Sequence, residues 1–142
     1  MSLEVILSIV AIGITVTFYF ADKIINGSTQ SAKKYLLSKW LDNKSKNLKL
    51  QDTIYQFASS INGWDAKAFT DSNHTYLDFY TQLKQTYEVE YSDVQLNALK
   101  KAKLSKFQID EYTGKLKVQE DNLNLIQVSF ESQIKKYYAD LV

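Results

Sequence analysis

Residues 106–140 read KFQIDEYTGKLKVQEDNLNLIQVSFESQIKKYYAD, and their interpretation decides the fold. Ile109, Tyr112, Leu116, Gln119, Leu123, Ile126, Phe130, Gln133 and Tyr137 follow one another at alternating steps of three and four. Such spacing lines one stripe of a helix and outlines a heptad seam with two glutamines in it. A β reading competes locally. Glu111-Tyr-Thr-Gly-Lys115 resembles a hairpin turn between Phe107/Ile109 and Leu116/Val118, and Tyr87, Val89 and Tyr91 alternate with acids. Magnitudes favour the helix: one internal glycine costs about 1 kcal/mol, while each large side chain buried along the seam contributes about 1.5–3 kcal/mol. The seam predicts one helix from about Lys106 to Asp140.

Helical periodicity extends upstream. Ala32, Tyr35, Leu36, Trp40 and Leu41 recur at helical spacing with lysines opposite, after Asn26-Gly27 as a stop or kink and Ser28 or Thr29 as a cap. The polar run 43–50 reads as a loop or an exposed helical turn. Within DTIYQFASSINGW (52–64), Ile54, Phe57, Ala58 and Ile61 make one face, and Asn62-Gly63 supplies a stop. A connector follows, then Tyr76, Leu77, Tyr80, Leu83 and Tyr87 outline another helix. Ser92-Asp-Val-Gln95 reads as a capping box ahead of Val94, Ala98, Leu99 and Ala102. The fold class expected is all-α, an antiparallel helical bundle of three or four helices with a long C-terminal helix.

The N-terminus is of a different kind. Val5 to Ala21 is a run of seventeen residues without a charge, built from Val5, Ile6, Leu7, Ile9, Val10, Ile12, Gly13, Ile14, Val16, Phe18, Tyr19 and Phe20 with small residues between. As a helix it measures about 26 Å, against a hydrocarbon core of about 30 Å, and Leu3 and Ile24-Ile25 can extend it. Phe18, Tyr19 and Phe20 sit where an interfacial aromatic belt belongs. The run reads as a single transmembrane anchor, residues 1–25, followed by a bundle domain, 26–142. Glu4 alone carries a side-chain charge before it, while Lys23, Lys33, Lys34 and Lys39 follow. That bias expects the N-terminus outside and the bundle in the cytoplasm, at the inner (cytoplasmic) membrane of a cell.

Composition narrows the chemistry. Among 142 residues there are 17 basic and 16 acidic ones, so no electrostatic case exists for a nucleic-acid partner. Every basic residue is a lysine, which removes the guanidinium fork that favours phosphate and carboxylate recognition. Cysteine is absent, which excludes disulfides and thiolate chemistry, and the lack of proline suits long helices. His74 stands near Asp71 and Asp78 but reads as a surface residue at a helix start. Asp65, Asp71 and Asp78 lack the alternating ligands and glycine of a calcium loop and read as caps. Lys100, Lys101, Lys103 and Lys106 form either a solvated helix face or a contact for anionic headgroups.

Two stretches resemble the LemA family of membrane-anchored bacterial helical proteins. Trp40 is followed, after the family's eleven-residue gap, by Asp52, and Asp52, Ile54, Phe57, Ile61, Gly63 and Trp64 fall in the register of its D-L-I-P-N-L-V-x-x-V-x-G-Y segment. The family's last long helix aligns without a gap to Ile109, Tyr112, Leu116, Glu120, Leu123, Ile126-Gln127, Phe130-Glu131, Ile134 and Tyr137-Tyr138. Tyr55 replaces the family proline, the basic pair before the aspartate is mostly lost, and both Tyr-Asn dipeptides lack their asparagine. With the anchor, the likeness covers roughly half the chain. It implies an N-out anchor and a long cytoplasmic bundle, and it carries over no catalytic residue.

The combined reading is a non-catalytic membrane scaffold or adaptor that presents a helical surface, with no cofactor, metal, nucleic acid or small-molecule substrate. Its partners are the lipid bilayer and either further copies of itself or other membrane proteins. An immunity or regulatory subunit bound to a partner membrane protein is the alternative. The packing residues expected are Trp40, Ile54, Phe57, Ile61, Ile109, Tyr112, Leu116, Leu123, Ile126, Phe130, Ile134 and Tyr137.

Overall fold

The seam of residues 109–137 lies on a single α-helix, Lys106–Asp140, in the computed structural model, which describes residues 27–142. The expected anchor (1–25), with its residues Val5 to Phe20, lies outside the described residues. Among those described, four helices follow in order: α1 (Gly27–Ile61), α2 (Tyr76–Glu90), α3 (Asp93–Lys101) and α4 (Lys106–Asp140). None of them is long and apolar enough to cross a membrane.

The hairpin reading fails at Gly114, which continues α4 with nothing within 4 Å of where a Cβ would stand. Tyr87 and Val89 lie in α2, and Tyr91 is its C-cap. Among the described residues the β structure is one isolated bridge, Lys67 with Thr75. The start of α4 is fixed by a capping box: Ser105 Oγ accepts from Gln108 N, and Gln108 Oε1 accepts from Ser105 N at 2.9 Å. Thr75 and Asp78 make the same reciprocal pair at the start of α2. Ser92 Oγ accepts from Gln95 N and caps α3 with that single side-chain bond in place of a full box.

The polar run 43–50 is helical and turns one face inward. Asn43, Asn47 and Leu50, spaced four and three apart, are buried, so α1 continues unbroken for 35 residues. It ends where Asn62 adopts a left-handed φ of 51°. Gly63 N then donates to Ala58 O at 2.9 Å and Asn62 N to Ser59 O at 3.3 Å, a Schellman motif that satisfies the last carbonyls.

Cross-helix pairs define the topology. Along α1 and α4 the partners Asn43–Gln119, Thr53–Gln127 and Ser60–Tyr138 advance together, so these helices are parallel. Along α1 and α2 the partners run in opposite order, from Trp40 with Glu90 to Phe57 with Tyr76. The antiparallel arrangement therefore holds for α2 against each long helix, and the long helices share one direction because α2 and α3 carry the chain back between them. Connector 62–75 folds over the far end, where Phe69, Phe79 and Phe130 stack with centroids 4.9–5.8 Å apart.

Candidate functional site

The core is divided. One apolar cluster gathers Leu50, Ile54, Phe57, Phe79, Leu83, Ile126 and Phe130 toward the C-terminal end of α1. A second gathers Leu36, Trp40, Tyr91, Leu99, Leu104, Ile109 and Leu116 toward its N-terminal end. Between them lies a polar layer of Asn43, Asn47, Thr86, Gln119 and Asn122, all buried.

Gln119 is the hub of that layer. Its Oε1 accepts from Asn43 Nδ2 at 3.1 Å and from the Tyr91 hydroxyl, while its Nε2 donates to Glu90 Oε2 at 2.9 Å. Asn43 also donates to Leu116 O at 2.8 Å, and Asn47 donates to Leu83 O at 3.2 Å. Trp40 Nε1 donates to Glu90 O at 3.1 Å and anchors the end of α2. Burial pushes the Glu90 carboxyl up to about 7, overcoming the hydrogen bond from Gln119 that favours its ionised form. The Tyr91 hydroxyl is pushed up by burial and then by the nearby Glu90 charge, so it stays protonated. Of this layer the C-terminal seam showed Gln119 alone, whereas Asn43 and Asn47 were hidden in a run that looked solvated.

At the edge of the layer Glu120 accepts from Lys39 and Lys46, each at 3.3 Å. Burial raises the Glu120 carboxyl, but the hydrogen bonds and charges of both lysines outweigh it and hold it below the usual carboxylate range.

Of the residues expected to pack, Trp40, Ile54, Phe57, Ile109, Leu116, Leu123, Ile126 and Phe130 are buried, and Ile61, Tyr112 and Ile134 are half-buried. Tyr137 is 38 % exposed, because its part of α4 reaches the level where α1 ends; it keeps an edge-on contact with Phe57, centroids 5.3 Å apart. His74 sits next to the α2 cap with Nδ1 3.9 Å from Asp78 Oδ2, and Asp78 is occupied by the capping box. Among the described residues no group of three or more His, Cys, Asp or Glu could hold a metal ion.

Two apolar rows remain outside. Leu41, Leu48 and Tyr55 repeat every seven residues along α1, and Phe107, Val118, Leu125 and Val128 follow the outer face of α4 around Gly114. Phe107 is 77 % exposed and Val128 62 %. At the N-terminal end of α1, Lys33 Nζ donates to Lys100 O at 2.9 Å and to Ala102 O, closing the C-terminus of α3. Burial lowers the affinity of this ammonium for its proton. The bond brings the α3–α4 elbow, with Lys100, Lys101, Lys103 and Lys106, beside Lys33 and Lys34.

No family model matches this chain, and no curated protein or solved structure matches it.

Proposed function

We propose that this protein is a non-catalytic, single-pass membrane scaffold of LemA type, tethered through residues 1–25 and presenting its helical bundle to other proteins or to further copies of itself. The bundle lies on the cytoplasmic side, following the lysine bias after the apolar run. The observation that carries the reading is the apolar row on α4. Phe107, Val118, Leu125 and Val128 stay exposed on a helix whose opposite face already forms the core. An apolar stripe along a helix is the surface that a partner helix covers.

The experiment is association of the full chain in nanodiscs, with and without Val118→Glu and Leu125→Glu. These positions are exposed, so helical content should be unchanged while crosslinked species or a co-purified stoichiometric protein are lost. Unchanged association in a folded double variant would overturn the surface assignment. Orientation is checked by a reporter after Val142. Protection of that reporter from external protease in intact cells is expected, and digestion from outside would reverse the topology.

A further inference from the structure

We infer that the end of the bundle from which α1 begins is a docking face for anionic phospholipid headgroups, so that the bundle sits down on the membrane that holds its anchor. The inference rests on the anchored reading and adds a second, electrostatic contact to it.

The charge distribution points there. Residues 27–41 of α1 contain Lys33, Lys34 and Lys39 and no acid; residues 94–109 contain Lys100, Lys101, Lys103 and Lys106 and no acid. These segments are distant in sequence. The fold joins them through Leu36, Leu99, Ala102, Leu104 and Ile109, which share one buried cluster, and through the Lys33 bonds to the α3 terminus. Lys39 is taken up by Glu120, whereas Lys34, Lys100, Lys101, Lys103 and Lys106 are exposed. Asp93 and Asp110, the next acids along the chain, lie beyond the run on either side. A chain with a formal charge of only +1 thus sets five exposed lysines, and no acid from these two segments, at one end.

Position selects the occupant. Lys33 lies about 9 Å along α1 from Gly27, and the apolar run ends at Ala21, just before that helix. That rise along the helix is comparable to a Debye length of about 8 Å at physiological salt. Phe107, exposed in the first turn of α4 beside Lys106, adds an apolar group at the same elbow. Each lysine near an anionic surface favours partition by about fivefold, so four together give several-hundredfold. A nucleic acid would meet the same charges, but without arginine or a stacking groove the face offers it no more than charge.

The absence of cysteine allows one clean label. Asn97→Cys on α3 and, as a distant control, Asp71→Cys in the connector are spin-labelled in the full chain. Each is reconstituted in phosphatidylcholine vesicles with a trace of nickel-chelating lipid, with or without about one-third phosphatidylglycerol. Collision of the label at 97 with headgroup nickel should rise about tenfold in the anionic vesicles, with no change at 71. Lys100→Gln, Lys101→Gln, Lys103→Gln and Lys106→Gln together should abolish the rise. Equal collision in both lipids, or an unchanged rise in the quadruple variant, overturns the docking face. Capture of an RNA oligonucleotide with no response to phosphatidylglycerol overturns it in favour of nucleic acid. Failure of the anchor reads differently: the chain would not float with neutral vesicles in alkaline carbonate, whatever the elbow does.

Discussion

Asn43 on α1 and Gln119 on α4 meet at 3.1 Å in the middle of the bundle, one amide donating to the other between two parallel helices. Apolar contacts tolerate sliding by a turn, whereas this pair has a partner only in one register. Polar pairs in helical cores fix alignment in this way at some expense of stability.

The first prediction concerns that pair. Gln119→Leu removes the acceptor of the Tyr91 hydroxyl and one of the two acceptors of Asn43 Nδ2, which keeps Leu116 O, and should destabilise by about 2 kcal/mol. Asn43→Leu added to it should cost less than the sum of the single changes, with a coupling of about 1 kcal/mol. Denaturant titration of the four species in detergent measures the cycle, and strictly additive values would show that the layer does not act as a unit.

Gly114→Ala should stabilise by about 0.5–1 kcal/mol. The added methyl meets nothing within 4 Å and the backbone is helical, so the gain is propensity and reduced freedom of the unfolded chain. A loss of stability in thermal or denaturant unfolding would restore the hairpin reading.

Asn62→Ala should destabilise by about 1 kcal/mol, since alanine lacks the tolerance of asparagine for a φ of 51°. Asn62→Gly, which accepts that conformation freely, should hold or raise the melting temperature. Equal losses from both changes would shift the explanation from the backbone to the amide side chain.

Glu90 gives the pH dependence. Its folded carboxyl titrates near 7, above its ordinary 4.5, so the folded state holds the proton more tightly than the unfolded one. The sign follows: its contribution is most favourable below about pH 4.5, falls as pH rises toward 7, and is level above. Glu120, held low by Lys39 and Lys46, acts in the opposite sense and loses stabilisation as pH falls. Glu90→Gln should therefore stabilise by about 1 kcal/mol at pH 8, allowing for solvent screening, and change little at pH 4. The same gain at both pH values would attribute it to packing.

The long C-terminal helix was legible because nine positions agree on one period, and such agreement survives one glycine. The caps at Thr75 and Ser105 were equally legible in principle, since T-Y-L-D and S-K-F-Q place the reciprocal partner three residues on. Asn43 and Asn47 were not. A polar residue reads as exposed until a partner far along the chain is known, and theirs are Gln119, Leu116 and Leu83. The parallel course of α1 and α4 was hidden for the same reason: periodicity gives faces, and direction comes from how α2, α3 and their turns return the chain. Lys33 and Lys34 read as the flank of the apolar run, and Lys100 to Lys106 as a solvated face or a headgroup contact; the Leu36–Leu99 cluster makes the two sets neighbours. The stop at Asn62-Gly63 was legible as a pair, and the structure gives the left-handed position to the asparagine.

The shared direction of α1 and α4 also sets a reach. Had the long helices been antiparallel, the chain would finish beside the point where α1 begins. Instead Asp140 stands about 50 Å from Gly27, the length of a 35-residue helix. Whatever is attached beyond Val142 is carried on a stiff post, and the height of that post is adjustable one heptad at a time.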